Sequence, residues 1–224
     1  MNIAIIPARG GSKRIKNKNI KDFYGKPIIA YAIELALDSN LFDKVVVSTD
    51  SIEIQSIAKN FKAECNSLRP SELSDDFSTT LDVISYEVRN LALKNDDIVC
   101  CIYPTTPLLK SNFLKMGLGA IESGKYCFSA CKFSSNPLRG FYIKNDEIFL
   151  LDEAYRDSRS QDLEVFYYDA GQFYIGYVKE FLDKKPIFSK NSKPIILPQI
   201  NVVDINTPED WEIAEIKYKI LCKQ

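Results

Sequence analysis

The chain of 224 residues contains no histidine. That absence removes Ser-His and Cys-His nucleophile pairs and every imidazole general base, so chemistry here must run on metal, carboxylate, lysine or tyrosine. Thiolate chemistry is also thin. The six cysteines (Cys65, Cys100, Cys101, Cys127, Cys131, Cys222) form no C-x-x-C pair and sit mostly inside apolar runs, so they read as small buried hydrophobes rather than zinc ligands. No apolar run approaches the length of a membrane span. The first apolar stretch is too short for a secretory signal and its cations follow it, which makes the cytoplasm the expected compartment. Neither G-x-x-x-x-G-K-[ST] nor G-x-G-x-x-G occurs, and no internal repeat or low-complexity segment stands out.

What is present is an ordinary globular composition, 46% hydrophobic and 26% charged, long enough for one medium domain over 1–224. Its charge is unevenly spread. Residues 1–26 hold seven Lys/Arg against the single acid Asp22, so they carry +6 in a chain whose net charge is −1. Within them, the β-branched run Ile3 to Ile6 reads as a buried strand, and after Pro7 the text changes to Arg9-Gly-Gly-Ser-Lys13 followed by more cations. Gly10 and Gly11 allow close backbone approach and converging N–H groups, while Arg9, Lys13, Arg14, Lys16, Lys18 and Lys21 supply positive charge. This pattern suits one small polyanion in a pocket. Nucleic acid is not an expected partner, because its binding asks for cations spread along a face and the rest of this chain is acidic. A solvated basic turn is the bland alternative.

Downstream, strands alternate with helical patterns. A helix is predicted from Pro27 to about Asp38–Asn40, then a strand over Lys44–Ser48. Asp50 is read as the cap of the next helix, with Glu53 completing a capping box; contact with a ligand at the strand end is the second reading. A polar loop from Leu68 to Leu81 opens a helix over 79–94 capped by Thr79, and a buried strand over Asp97–Tyr103 stops at the rigid Pro104-Thr-Thr-Pro107. A helix at 110–123 and a strand at 126–132 follow. From 133 to 170 the alternation breaks into a segment read as an inserted flap, with a hairpin from Gly140 to Leu151 turning at Asn145-Asp146. A strand over Ala170–Tyr177, a short helix over Val178–Lys184, a strand over Pro194–Leu197 and a closing helix capped by Thr207 complete the chain. The expected fold is α/β, a doubly wound, mostly parallel, Rossmann-like sheet with ligands at the carboxyl ends of its strands.

With these pieces in place, the chain resembles the CMP-nonulosonate synthetases, the cytidylyltransferases that activate sialic acids and their relatives. The resemblance rests on Ile6-Pro-Ala-Arg-Gly-Gly-Ser-Lys13, Lys18-Asn19, Val47-Ser-Thr-Asp50, Leu68-Arg-Pro70 with Glu72-Leu73, Pro104-Thr105 and Val203-Asp-Ile205. Three further runs resemble the pseudaminic acid branch of that family: Cys100 to Thr105, Arg159 to Glu164, and Asp169 to Tyr174. The resemblance implies a nucleotidyltransferase fold and a reaction in which the sugar's anomeric hydroxyl attacks the α-phosphorus of CTP, with Mg²⁺ assisting and pyrophosphate leaving.

It also implies roles. Arg9, Gly10, Gly11, Ser12, Lys13, Lys18 and Asn19 would hold the triphosphate, and Arg69, Ser78 and Thr80 would frame the nucleotide; by themselves the last three read as a surface arginine and cap residues. Tyr103 stands where sialate enzymes present glutamine to the sugar, although a tyrosine closing a buried strand is commonly packing. Arg159, backed by Arg139 and Arg156, would grip the sugar carboxylate bidentately. Gln161, Asp169, Gln172 and Tyr174 would be further sugar contacts. Asp204 matches a metal ligand of the family, but its second aspartate is Asn206 here, which leaves that ligand open; Mg²⁺ needs only one or two carboxylates when phosphates and water complete its shell. The flap would build a homodimer, with Arg139 or Lys132 acting in trans. A CMP-sialate or CMP-Kdo synthetase, a nucleotide-sugar glycosyltransferase and a catalytically silent nucleotide-binding module are the competing readings.

Overall fold

The computed structural model describes residues 1–75 and 77–222. Among the described residues, ten strands, β1 (Asn2–Pro7), β2 (Asp22–Phe23), β3 (Lys26–Pro27), β4 (Lys44–Ser48), β5 (Ile98–Ile102), β6 (Cys127–Lys132), β7 (Phe141–Lys144), β8 (Glu147–Leu150), β9 (Tyr167–Tyr177) and β10 (Lys193–Leu197), are interspersed with six α-helices. The helices are α1 (Ile28–Asp38), α2 (Ile52–Asn60), α3 (Thr80–Asn90), α4 (Ser111–Ala120), α5 (Val178–Leu182) and α6 (Pro208–Cys222). Six strands form the central sheet in the order β10-β6-β9-β5-β1-β4. Every neighbouring pair is parallel except those made by β9, which runs antiparallel to both β5 and β6. The expected mostly parallel, doubly wound sheet is the one observed.

The strand sequences explain their position. Ile3, Ala4, Ile5 and Ile6 are wholly buried, as are Val99 to Ile102, because both faces of this sheet are covered and neither can carry a polar alternation. One face packs Ile6, Val47, Cys100 and Phe173 with Ile29 and Ile33 of α1. The other packs Ile3, Ile5, Val99 and Cys101 with Ile84 of α3 and Phe181 of α5. All five described cysteines of the core, Cys65, Cys100, Cys101, Cys127 and Cys131, are buried and unpaired, as their apolar settings predicted.

A third cluster lies off the sheet and joins the two ends of the chain. Phe23, fully buried, receives the edges or faces of Tyr31, Trp211 and Tyr218 with ring centroids at 5.5, 5.5 and 5.4 Å. Ile15, Val203 and Ile205 belong to the same cluster. The two-residue strands β2 and β3 make the sharp reversal that points Phe23 inward, with Tyr24 at φ 50° and Gly25 at φ 86° forming the turn. The loop after β1 and the segment before α6 are thereby packed against each other.

Several boundaries differ from the sequence reading for local reasons. Ser51, not Asp50, caps α2: its Oγ accepts from Ile54 N, and Asp50 is used elsewhere. The helix read over 79–94 closes at Asn90, and that read over 110–123 closes at Ala120. β9 begins at Tyr167, inside the 133–170 segment, since its first residues pair with Ala130 to Lys132 of β6. The hairpin is as read, with Asn145 and Asp146 at φ 52° and 63° giving the turn that suits strand twist.

The start of α3 carries Thr80 to the carboxyl edge of the sheet. Thr79 Oγ1 accepts from Asp82 N at 3.2 Å, and the Asp82 carboxylate accepts from Thr79 N at 3.0 Å. Hydrogen bonds from Lys184 and Thr79 hold the Asp82 carboxyl down to about 2, below its ordinary 3.8. A depressed folded value means that this stabilisation is complete above the unfolded value and is lost as pH falls towards 2. Asp82→Ala is expected to lower stability by about 1 kcal/mol at neutral pH, and by almost nothing at the acid limit. Urea unfolding at the two pH values checks this; an equal deficit at both would contradict it.

Candidate active site

β1, β4 and β5 end side by side, and the cleft opens over their carboxyl ends. It has a volume of about 280 Å³ and is lined by Arg9, Ser12, Lys13, Lys18, Asn19 and Arg69 on its cationic wall, with Ser78, Thr80, Tyr103 and Asn206 opposite and around it. Ten of the residues singled out from the sequence thus share one concavity.

The glycine turn is built by short-range bonds. Ala8 N still reaches Ser48 O at 2.8 Å, extending the strand; Ser12 N then closes onto Gly10 O at 3.0 Å, folding the chain back on itself. Asn19, buried, donates from Nδ2 to Arg9 O at 2.9 Å and fixes the turn's first carbonyl. Arg9 Nη1 donates to Asp75 O at 2.8 Å, linking the turn to the 68–81 loop. Gly10 has a different task from the one its type suggested. Its N–H donates to Asp50 Oδ1 at 2.8 Å, and a Cβ there would lie 3.1 Å from Ser51 Cβ, so this glycine permits close packing on β4's end and presents its amide to a carboxylate. Gly11 has open space around it.

Arg69 is buried. Its Nη1 donates to Ser48 O and Ser48 Oγ at 3.3 and 3.2 Å, its Nε to Ser74 Oγ at 3.1 Å, and the Ser48 hydroxyl donates onward to Glu87 Oε1 at 2.5 Å. Burial pushes the Arg69 pKa down and the Glu87 pKa up, each against the pull of the other's charge. Such a guanidinium is positioned before any ligand arrives. Ser78 Oγ donates to Glu72 O and Asp75 Oδ1, bracing the same loop.

From the other end of the chain, Lys18 Nζ donates to Ile205 O at 2.6 Å. Arg14 Nη2 donates to Asn206 Oδ1 at 2.7 Å, and Asn206 Nδ2 donates to Asp204 Oδ2 at 2.6 Å. Asn206 therefore bridges a guanidinium and a carboxylate through the two ends of its amide. Its own N–H and that of Thr207 reach Asp210 Oδ2 at 2.9 and 2.7 Å in the cap of α6, which fixes its backbone. Burial lowers the Lys18 pKa, with Asp204 opposing and the neighbouring Arg14 and Arg9 charges adding to the fall. The cations here press on one another, and a bound polyanion would relieve them.

Other residues singled out from the sequence sit apart from this wall. Tyr103 lines the cleft, its hydroxyl 2.6 Å from Thr80 Oγ1, and burial pushes its pKa up to about 12. Tyr174 is buried behind it, and its hydroxyl donates to Asp169 Oδ2. The Gln172 amide is spent on Ala170 O and Val203 O at 2.9 and 3.4 Å, tying β9 to the Asp204 segment. Arg159 is exposed and paired with Asp162 at 2.7 Å, Gln161 is exposed in the same turn, and Arg139 donates to Ser160 Oγ at 3.0 Å; none of the three lines the cleft.

Reading by residue type gave Arg14 no individual role and preferred a cap for Asp50. The usable signal is position: Asp50 stands two residues beyond the end of β4, where a side chain faces whatever the neighbouring strand presents.

Comparison with known proteins agrees with this geometry. Residues 3–217 match the family model described as Cytidylyltransferase. A pseudaminic acid cytidylyltransferase of Campylobacter jejuni is 43% identical over 224 residues, covering 98% of this chain and 97% of its own length. A CMP-N,N'-diacetyllegionaminic acid synthase of Legionella pneumophila is 33% identical, covering 95% and 94%. A Helicobacter pylori protein that combines a pseudaminic acid cytidylyltransferase with a hydrolase is 44% identical over 98% of this chain, which spans 45% of that longer protein. Among solved structures, a CMP:2-keto-3-deoxy-manno-octonic acid synthetase in complex with CTP superposes with a TM-score of 0.70 over 100% of this chain and 99% of its own, at 16% identity, a likeness of fold. The chain belongs to the cytidylyltransferase family, in its CMP-nonulosonate branch, and is a nucleotidyltransferase.

Proposed function

We propose that this enzyme activates pseudaminic acid, converting CTP and the free sugar into the CMP-sugar and pyrophosphate. The observation that carries the reading is the meeting of the basic glycine turn with the segment before α6: Asn206 lines the same cleft as Arg9, Lys13 and Lys18, accepts from Arg14 and donates to Asp204. The 43% identity to a pseudaminic acid cytidylyltransferase selects the sugar.

In this reading Arg9, Lys13 and Lys18, the Gly11 amide and the Ser12 hydroxyl hold the triphosphate, and Arg69, locked against Ser48, frames the nucleotide from behind. Because the guanidinium and ammonium groups are fixed before binding, they stabilise charge that builds on the phosphates without reorganising. The acceptor hydroxyl approaches over Tyr103. Positioning and electrostatics suffice for such a transfer, and no covalent nucleophile is required.

The chemistry of the donor set fits a hard cation. Asp204 presents an exposed carboxylate next to Asn206, which lines the cleft, and among the described residues no cluster of three acidic or thiolate ligands competes with it. Asp204, steadied by the Asn206 amide, would hold Mg²⁺, which would supply charge stabilisation at the transferring phosphate.

The second copy of the chain is proposed to cover the hairpin. Phe141, Tyr142, Ile143, Ile148, Phe149 and Leu151 are all exposed on it, and an isolated two-stranded ribbon with an apolar surface is stable only when something packs on it. Among the described residues no helix is long and apolar enough to cross a membrane, and the cytoplasm is the proposed compartment.

A panel of acceptors, assayed by pyrophosphate release with CTP before and after chelation of divalent ions, tests the reaction. Pseudaminic acid is expected to turn over at least tenfold faster than a sialic acid or Kdo, and chelation is expected to abolish the signal. A preference for either competitor would overturn the sugar assignment. Sedimentation of the full chain is expected to give a dimer, and Ile143→Ser with Phe149→Ser to give a monomer; a wild-type monomer at micromolar concentration would contradict the hairpin's role.

A further inference from the structure

The reaction releases a proton from the attacking hydroxyl, and the chain has no histidine to receive it. Asp204 is poorly suited, because its carboxylate is engaged by Asn206 and is the proposed ligand of the cation. Another carboxylate, Asp169, lies behind the cleft wall. Thr80 Oγ1 and Tyr103 OH are 2.6 Å apart at the cleft wall, the Tyr103 hydroxyl is also within hydrogen-bonding reach of Tyr174, whose ring it meets edge to face with centroids 5.7 Å apart, and the Tyr174 hydroxyl donates to Asp169 Oδ2.

This alignment is not what a regular strand gives. Asp169 and Tyr174 are five positions apart, and an odd separation puts side chains on opposite faces. β9 solves this with an irregularity: Phe128 of β6 pairs with Tyr174, yet Ala130, two residues on, pairs with Asp169, so extra residues are looped out of β9. Gly171 takes φ 58° at this point and donates its N–H to Asp169 Oδ1 at 2.9 Å, while Ser129 Oγ accepts from Gln172 N and Phe173 N at 3.0 and 3.2 Å. The bulge turns Asp169 onto the face of Tyr174 and fixes both of its oxygens.

We propose that Asp169, reached from the cleft through Tyr103 and Tyr174, is the terminal acceptor of the attacking hydroxyl's proton. This rests on the cytidylyltransferase reaction proposed above. As the sugar oxygen forms its bond to the α-phosphorus, pyrophosphate departs with the electron pair of the breaking P–O bond. The hydroxyl proton passes to the Tyr103 oxygen, the Tyr103 proton to Tyr174, and the Tyr174 proton to Asp169. Neither tyrosine ends the step ionised, which matters because burial raises the pKa of both. Asp169 is exposed, so its carboxylic acid returns the proton to solvent and the chain resets.

The test compares wild type with Asp169→Asn, Tyr174→Phe and the double variant, using CTP, pseudaminic acid and Mg²⁺. Each single variant is expected to lose about 10²-fold in kcat, with the KM for CTP within threefold of wild type. The double variant is expected to lose no more than the worse single one, because both break the same path. A proton inventory in mixed water and deuterium oxide should be curved for wild type, reporting several protons in flight, and linear for Asp169→Asn. Asp169→Glu should recover part of kcat if protonation is the defect. The relay is overturned if Asp169→Asn keeps kcat within threefold, if the loss lies wholly in KM, or if Asp169→Glu recovers nothing while thermal unfolding is unchanged. Wild type that turns over no acceptor would instead overturn the reaction itself, so the two failures are distinguishable.

Discussion

Everything in this site depends on one packing contact between distant parts of the chain. Phe23, at the reversal after the glycine turn, is enclosed by Tyr31, Trp211 and Tyr218, and Ile15, Val203 and Ile205 fill the same cluster. Because that cluster is apolar and close-packed, the basic loop and the Asp204 segment cannot separate without exposing it. Lys18 then lies on the Ile205 carbonyl, and Arg14 on Asn206, as consequences of geometry set elsewhere.

The electrostatics follow from the same closure. Bringing Arg9, Lys13, Arg14, Lys18 and Arg69 around one cleft concentrates like charge, which costs folding free energy in the absence of ligand. The protein offsets part of this with fixed partners: Asp50 takes the Gly10 amide, Glu87 and Ser48 hold Arg69, and Asn206 spreads between Arg14 and Asp204. An aspartate at 206 would place two carboxylates side by side without the amide donor that now joins them. Asparagine turns its oxygen to Arg14 and donates its own hydrogen bond to Asp204, so the pair is cohesive rather than repulsive.

Much of this was legible from residue types because the strands are buried on both faces and read as unbroken β-branched runs. Ile3 to Ile6, Lys44 to Ser48 and Asp97 to Tyr103 could hardly be anything else, and the Gly10-Gly11 turn and Thr79 cap announce themselves by chemistry. The less legible features are those in which backbone irregularity overrides the pattern. Asp50 looked like a cap because serine and aspartate are both good caps; only the register of β1 on β4 shows that it faces Gly10. The start of β9 was hidden because the bulge at Gly171 breaks the two-residue alternation, and with it the link between Asp169 and Tyr174. Arg159 is legible by residue type and not by position. A guanidinium in a polar segment suits a carboxylate ligand, yet here its partner is Asp162, three residues along its own chain.

The most direct test of the account is a crystal structure of the protein with CTP and Mg²⁺. The account predicts the triphosphate between Arg9, Lys13 and Lys18 on one side and Asp204 on the other, with the ion in contact with Asp204 and a phosphate oxygen. A triphosphate bound away from the glycine turn, or an ion with no contact to Asp204, would contradict it.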